Sequence, residues 1–267
     1  MSVLLESLAL EKLNDNLFEG TTPPGDNMRI FGGQVVAQSL LAAYETVVRG
    51  LCHSLHAYFI YPGNPRVPIR FEVARLRDGG SFMTRAVNAV QEGKVILTCS
   101  LSFHVEVEGM EHHIAGGNGV VRAEALEHDD PRGYALGIEL RTCRPPKPGL
   151  VADTHSPHHR LWCRSWQPIG PDPRHHQAVL AYTSDFPFLS TIVQPHPVTW
   201  RTPGMQVASL DHAIWFHRPF DMNHWHLCDL DSPSAHGERG FARGTFFNEA
   251  GVPVASATQE GLLRYRP

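Results

Sequence analysis

The chain has 267 residues, with 23 basic against 27 acidic side chains and a formal charge of -4 with histidine neutral. Such a balance, at 42% hydrophobic residues, excludes a polybasic nucleic-acid binder and a protein held to membranes by charge. No run of about 18 apolar residues occurs, so no membrane-spanning helix is expected.

The opening MSVLLESLALEKL carries acids where a signal peptide needs bases, and it reads as a short amphipathic helix. In FGGQVVAQSLLAAYETVV, residues 31–48, Val36, Leu40, Ala43 or Tyr44, and Val47 recur at helical spacing. Gly32 and Gly33 mark a place where backbone can approach closely. Apolar and small residues cover most faces of this helix, which predicts a sheet wrapped around it. CHSLHAYFIYPGNP, residues 52–65, reads as an aromatic strand ending at Pro62. Residues 81–103 then read as an arginine-bearing strand, a turn at Gln91-Glu92-Gly93 and a returning strand.

Residues 108–133, rich in glycine and charge, read as a linker. Residues 134–145 and 161–169 read as strands opening a second half. There HQAVLAYTSDFPFLSTIV, residues 176–193, takes the place of the first helix, with Gln177 aligned to Gln34. Pro187 is expected to kink or end it near Phe186. SLDHAIWFHRPFDM (209–222) and GFARGTFFNEAGVPVASATQEGLL (240–263) repeat the strand set, with Pro219 standing for Pro62 and Gly251 for Gly93. The chain is therefore read as a duplicated unit. Residues 1–107 and 134–267 each hold a long helix and an antiparallel sheet, and the two sheets would form one continuous curved sheet.

The copies differ at three core-type positions. Aligning the turn glycines puts Gln259 opposite Leu101, aligning the prolines puts Ser209 opposite Cys52, and aligning the glutamines puts Asp185 opposite Ala42. A carboxylate, a hydroxyl and an amide appear only in the second copy, and together they can hold and polarise one water. Each has a plain structural alternative: a helix cap for Asp185, a strand hydroxyl for Ser209, a backbone partner for Gln259. Asp211 lies two residues from Ser209, on the same side of a regular strand.

Other chemistries lack support. The histidine pairs 112–113, 158–159 and 175–176 put neighbours on different faces, and H-E-x-x-H is absent. His53 with His56, and His224 with His226, are usefully spaced but have no companion acid or cysteine set, so no metal is expected. There is no G-x-S-x-G, and the glycines of FGGQ form neither a phosphate loop nor a dinucleotide fingerprint, so no cofactor is expected. Cys52, Cys99, Cys143, Cys163 and Cys228 are scattered and read as small hydrophobes in a reducing compartment.

RIFGGQVVAQSL (29–40), HSLHAYFIYPGN (53–64), RDGGSFMTRAVNAVQEG (77–93), YTSDFPFL (182–189), SLDHAIWFHRPF (209–220) and SATQEG (256–261) together resemble the type II acyl-CoA thioesterases. The resemblance covers nearly the whole chain and implies an α+β double-hotdog fold. It further implies hydrolysis of fatty acyl-CoA to fatty acid and CoA, and a homo-oligomer, dimer or tetramer. It carries the family's catalytic roles onto Asp185 in YTSD, Ser209 in ASLD and Gln259 in TQEG. Backbone near Gly32 and Gly33 is then expected to bind substrate or the oxyanion, and some of Arg66, Arg70, Arg75 and Arg77, otherwise solvated strand faces, to meet CoA phosphates. The linker and residues 152–162 match less strongly, so the pocket rim is expected to differ. The ending RYRP is no peroxisomal address, and a cytoplasmic location is expected.

Two alternatives remain. A hotdog enoyl-CoA hydratase or dehydratase needs a histidine at the substrate double bond. Asp211-His212 is the only nearby pair, and strand neighbours point to opposite faces. A non-catalytic acyl-CoA-binding protein would be favoured by loss of any of the three polar groups, and none is lost. For an enzyme, direct water attack and a mixed anhydride on Asp185 are the competing routes.

Overall fold

The computed structural model describes residues 2–23, 29–117, 119–127, 137–143 and 156–266. A short helix α1 (Val3–Leu8), capped by the Ser2 hydroxyl, leads into strands β1 (Leu10–Asn14) and β2 (Leu17–Gly20). The long helix α2 (Gly32–Tyr44) follows, then β3 (Leu51–Phe59), β4 (Ile69–Asp78), β5 (Phe82–Gln91) and β6 (Lys94–His104). The second half begins with β7 (Ile138–Thr142) and β8 (His158–Ser165) and continues into helix α3 (Pro173–Val193). It closes with β9 (Met205–Ser209), β10 (Asp211–Phe216), β11 (His226–His236), β12 (Arg239–Asn248) and β13 (Pro253–Tyr265).

One antiparallel sheet runs β1-β2-β4-β5-β6-β3-β10-β13-β12-β11-β8-β7, with β9 beside β13. Read inward from its two edges, the sheet has the same order twice. The halves meet where β3 pairs with β10, Tyr58 opposite Asp211 and Ser54 opposite Trp215. β9 and β10 together correspond to β3, and both halves carry an irregularity at the same place. In the first, pairing with β6 skips from Cys52 to Ser54; in the second, Leu210 interrupts the strand. Cys52 opposite Phe103 thus corresponds to Ser209 opposite Gly261.

Burial explains the composition of the helices. Every residue from Gly33 to Leu40 in α2 and from His176 to Asp185 in α3 is buried, because the helices pack on each other inside the sheet. The strands alternate accordingly, most regularly in β5. Glycine permits the closest approaches. A Cβ on Gly33 would strike the Tyr182 carbonyl, and one on Gly32 would lie 2.7 Å from Asp185 Oδ2. Gly240 and Gly261 face each other across β12 and β13, leaving room for Ile192 and Leu189 of α3.

Helix α3 does not end near Phe186. It runs through Pro187 to Val193, with Phe188, Thr191 and Ile192 buried. That packing offsets the roughly 3 kcal/mol cost of an interior proline. Helix α2 stops at Tyr44, short of the expected Val48. The expected linker 108–133 is not wholly free, because a single 3-10 turn at Ala123–Ala125 packs Ala123 into a cluster with Trp162, Trp225, Leu227 and Phe247. Linker residues 118 and 128–133 lie outside the described residues. So do 134–136 and 144–145 of the first expected strand segment and 152–155 of the weakly matching stretch.

Gly240→Val is expected to lower the unfolding free energy by about 1–3 kcal/mol by overpacking against Ile192. Gly80→Ala adds a carbon in open space and should change it by less than about 0.5 kcal/mol; urea unfolding checks both. Burial pushes the His226 imidazole down from 6.5 to about 4. The unfolded chain therefore takes up a proton that the folded chain refuses. The resulting stability is complete above pH about 6.5 and falls by up to about 1.4 kcal/mol per unit as pH drops toward 4. His226→Gln should flatten that fall in urea titrations at pH 7, 6 and 5.

Candidate active site

Four elements converge where the N-terminus of α2 meets the middle of α3. Helix α3 contributes Asp185, only 5% exposed. The end of β9 contributes Ser209, β13 contributes the fully buried Gln259, and α2 presents the Gly33 N–H. Ser209 Oγ donates to Asp185 Oδ1 at 3.1 Å, and the Gly33 N–H donates to Asp185 Oδ2 at 2.9 Å. Gln259 Nε2 donates to Ser209 Oγ at 2.9 Å. The three side chains singled out in the sequence are thus joined by direct hydrogen bonds, with Ser209 in the middle. A carboxylate only accepts, so the serine proton points to Asp185 and the serine lone pair takes the amide proton.

The amide oxygen of Gln259 has its own partner. His212 Nδ1 lies 2.7 Å from Gln259 Oε1, and His212 Nε2 lies 2.8 Å from Ser184 Oγ. Ser184 precedes Asp185 in α3, so Ser184, His212, Gln259, Ser209 and Asp185 close a ring. Burial lowers the pKa of the His212 imidazole, against the pull of the Asp185 and Asp211 charges.

Sequence reasoning missed the place of His212, because it weighed the residue only as a partner of Asp211. The same proline alignment puts His212 opposite Leu55, which pairs with Leu101 across β3 and β6. An apolar pair in one half is a polar pair in the other, and that was the available signal. Asp211 stands apart from the ring: its carboxylate accepts the Glu260 N–H at 2.7 Å beside the break at Leu210.

At the corresponding place in the first half, Ala42, Cys52 and Leu101 are buried and bring no charge. Tyr44 closes the space. Its hydroxyl bonds Gln177 Oε1 and accepts the Cys52 N–H at 2.8 Å, while Gln177 Nε2 donates to the Cys52 carbonyl at 3.0 Å. A concavity of about 130 Å³ is lined by Cys52 and Gln177, among others, in the first half's counterpart place. Another, about 380 Å³, is lined by Arg29, Trp200, Met205, Ala208 and Leu262 and by none of the polar set. Arg70 and Arg75 bond Glu19 and Asn16 on the exposed strand face.

Comparison with known proteins agrees over both halves. A model described as acyl-CoA thioesterase matches residues 139–262, and one described as acyl-CoA thioesterase N-terminal domain matches residues 20–104. Acyl-CoA thioesterase 2 of Haemophilus influenzae is 36% identical, over 98% of this chain and 97% of its own. Acyl-coenzyme A thioesterase 8 of Rattus norvegicus is 36% identical over 100% of this chain and 90% of its own. Among solved structures, an acyl-CoA thioesterase II from Mycobacterium marinum has a TM-score of 0.83 at 38% identity, covering 98% of this chain and 97% of that one. A hotdog-fold protein from Alicyclobacillus acidocaldarius reaches 0.84 at 18% identity over 100% of both chains, a likeness of fold.

Tyr44→Phe would orphan Gln177 Oε1 and the Cys52 N–H in the first half. It is expected to cost about 1–3 kcal/mol of stability in urea unfolding. Turnover of the folded protein should be unchanged, because Tyr44 has no bond to the Asp185 set.

Proposed function

Because the chain belongs to the acyl-CoA thioesterase family, we propose that Asp185, Ser209 and Gln259 are the groups through which it hydrolyses fatty acyl-CoA to free fatty acid and CoA. The observation that carries this reading is the hydrogen-bonded run from Gly33 of the first half through Asp185 and Ser209 to Gln259 of the second, with Ala42, Cys52 and Leu101 at the counterpart positions of the three side chains. Of the two units, residues 134–267 supply the three side chains, and residues 1–107 supply the helix terminus that faces them.

A thiolate leaves readily, so thioester hydrolysis needs a held water, a base and donors for the developing oxyanion more than it needs a general acid. Asp185 takes the proton of the water, and Ser209 and Gln259 hold that water through their remaining hydrogen-bonding capacity. The thioester oxygen faces the first turn of α2, the positive end of that helix, where Gly32 brings backbone within reach. The Gly33 N–H, already on Asp185, positions the base. Direct attack by water is favoured over a mixed anhydride, because a carboxylate so buried and hydrogen-bonded on both oxygens is reached by a water more easily than by a substrate carbonyl carbon. Both ring nitrogens of His212 are engaged, so it does not offer the free imidazole nitrogen that the hydratase reading asks of it.

The reading extends to a reducing, cytoplasmic setting, which the five free cysteines support, and to a homo-oligomer, dimer or tetramer. Among the described residues no helix is long and apolar enough to cross a membrane.

Thiol release from a chain-length series of acyl-CoAs tests the assignment. Asp185→Asn should lower kcat by about 10³-fold, within the range for loss of a general base, and Gln259→Ala should lower it too. Equal, slow release by wild type and both variants would remove the enzymatic reading. In a single turnover in heavy-oxygen water, label should enter the fatty acid alone; label in the Asp185 carboxylate would establish the anhydride route.

A further inference from the structure

We propose that His212 is a positioning residue for this reaction: its Nδ1–H holds the Gln259 amide so that Nε2 faces Ser209 and the Ser209 proton faces Asp185. The proposal rests on the reading of Asp185 as the base.

The problem His212 solves is one of orientation. A glutamine amide has two nearly isosteric settings that exchange its donor and acceptor ends. Ser209 can accept from one end or donate to the other, so the Ser209–Gln259 contact does not decide between them. With Oε1 turned to Ser209, the hydroxyl could donate to the amide, and Asp185 Oδ1 would face a serine oxygen with no proton between them. An Nδ1–H on His212 removes the choice, because it requires Oε1 at 2.7 Å. With Nδ1 carrying the proton, Nε2 is the acceptor, and Ser184 Oγ at 2.8 Å meets it by turning its one proton there from the Ala181 carbonyl.

The ring can also be run in reverse. Ser184 Oγ lies 2.9 Å from the Ala181 carbonyl, so Ser184 could donate there and accept from Nε2–H, with the amide flipped. Every member is then satisfied except the carboxylate, which only accepts. Asp185 therefore selects one proton order around the ring, and His212 is the link that passes it to Gln259. The surroundings hold that link still. His212 is fully buried, with the Phe188 ring edge-on at 5.7 Å. The charges acting on it are those of Asp185 and of Asp211, which is tied to the Glu260 N–H; α3 turns Ser184 toward it and β13 turns Gln259. Burial favours the neutral imidazole, so the ring keeps one N–H donor and one acceptor.

The duplication supplies an independent argument. In the first half the same two positions hold Leu55 and Leu101, both buried and paired across β3 and β6. The fold therefore accepts an apolar pair here, and the buried imidazole serves something other than packing.

The test compares His212→Leu, which installs the residue of the first half, with His212→Asn, which keeps an N–H near the Nδ1 position. Asp185→Asn runs alongside, and all rates refer to folded protein as judged by circular dichroism and unfolding midpoint. His212→Leu should lower kcat about 100-fold, the scale of a catalytic group misplaced by about an ångström, with KM within about threefold. His212→Asn should recover most of kcat. A His212→Leu enzyme at the wild-type rate, or one slowed with KM raised in proportion or without rescue by Asn, would overturn the positioning role. Asp185→Asn at the wild-type rate would instead overturn the underlying reading, and this proposal with it.

Discussion

A buried carboxylate has to find donors, and Asp185 finds them on two separate elements. The Gly33 N–H comes from the first turn of α2 and the Ser209 hydroxyl from the end of β9. Much of the local structure follows from that requirement. Gly33 lacks a side chain because the Tyr182 carbonyl occupies the space, and Gly32 lacks one because Asp185 Oδ2 does. Helix α3 keeps every residue from His176 to Asp185 buried and so delivers Asp185 into the core. Ser209 has to end its strand at the break beside Leu210 for its hydroxyl to turn inward. Gln259, facing the same space from β13, is satisfied by the serine and the imidazole.

The duplicated fold lets the two halves meet different demands. At the place that holds the polar ring in one half, the other holds Ala42, Cys52, Leu55 and Leu101, with the Tyr44 hydroxyl closing the gap onto Gln177 and Cys52. Apolar side chains contribute stability through burial, about 25 cal/mol per Å², whereas a buried polar ring contributes little net and is costly when any member is lost. One half thus stabilises the shared core, and the other spends part of that stability on chemistry. Because β3 and β10 join the sheets and α2 packs on α3, the polar half does not stand alone.

The candidate site was largely legible before any coordinates, for a definite reason. Duplication makes one copy the reference for the other, so a polar residue at Asp185, Ser209 or Gln259 stands out against Ala42, Cys52 or Leu101. The same comparison exposes His212 against Leu55. It was passed over because strand alternation was applied from Asp211, whose side chain is taken up by the Glu260 N–H. Whether α3 kinks or ends near Phe186 was left open by the sequence, because the local cost of Pro187 says nothing of the burial of Phe188 and Ile192 that carries the helix on to Val193. The packing of Ala123 within the expected linker was hidden too, since glycine and charge speak of local freedom and not of distant Trp162 and Trp225.

By itself the sequence determined the two long helices, the hairpins that follow them, their repetition and the three polar exceptions, because periodicity and turn chemistry are local and the second copy calibrates the first. It did not show strands β1, β2 and β11, and it read the opening helix on into β1. Only the tertiary structure decided which groups touch. That the Gly33 N–H binds Asp185 across 152 positions, and that Gln259 is held between Ser209 and His212, are matters of helix crossing and strand register. Hydrogen bonds depend on distances of a few ångströms and on which end of an amide faces which atom. Those quantities are set by the packing of the whole core and leave no local trace in the chain.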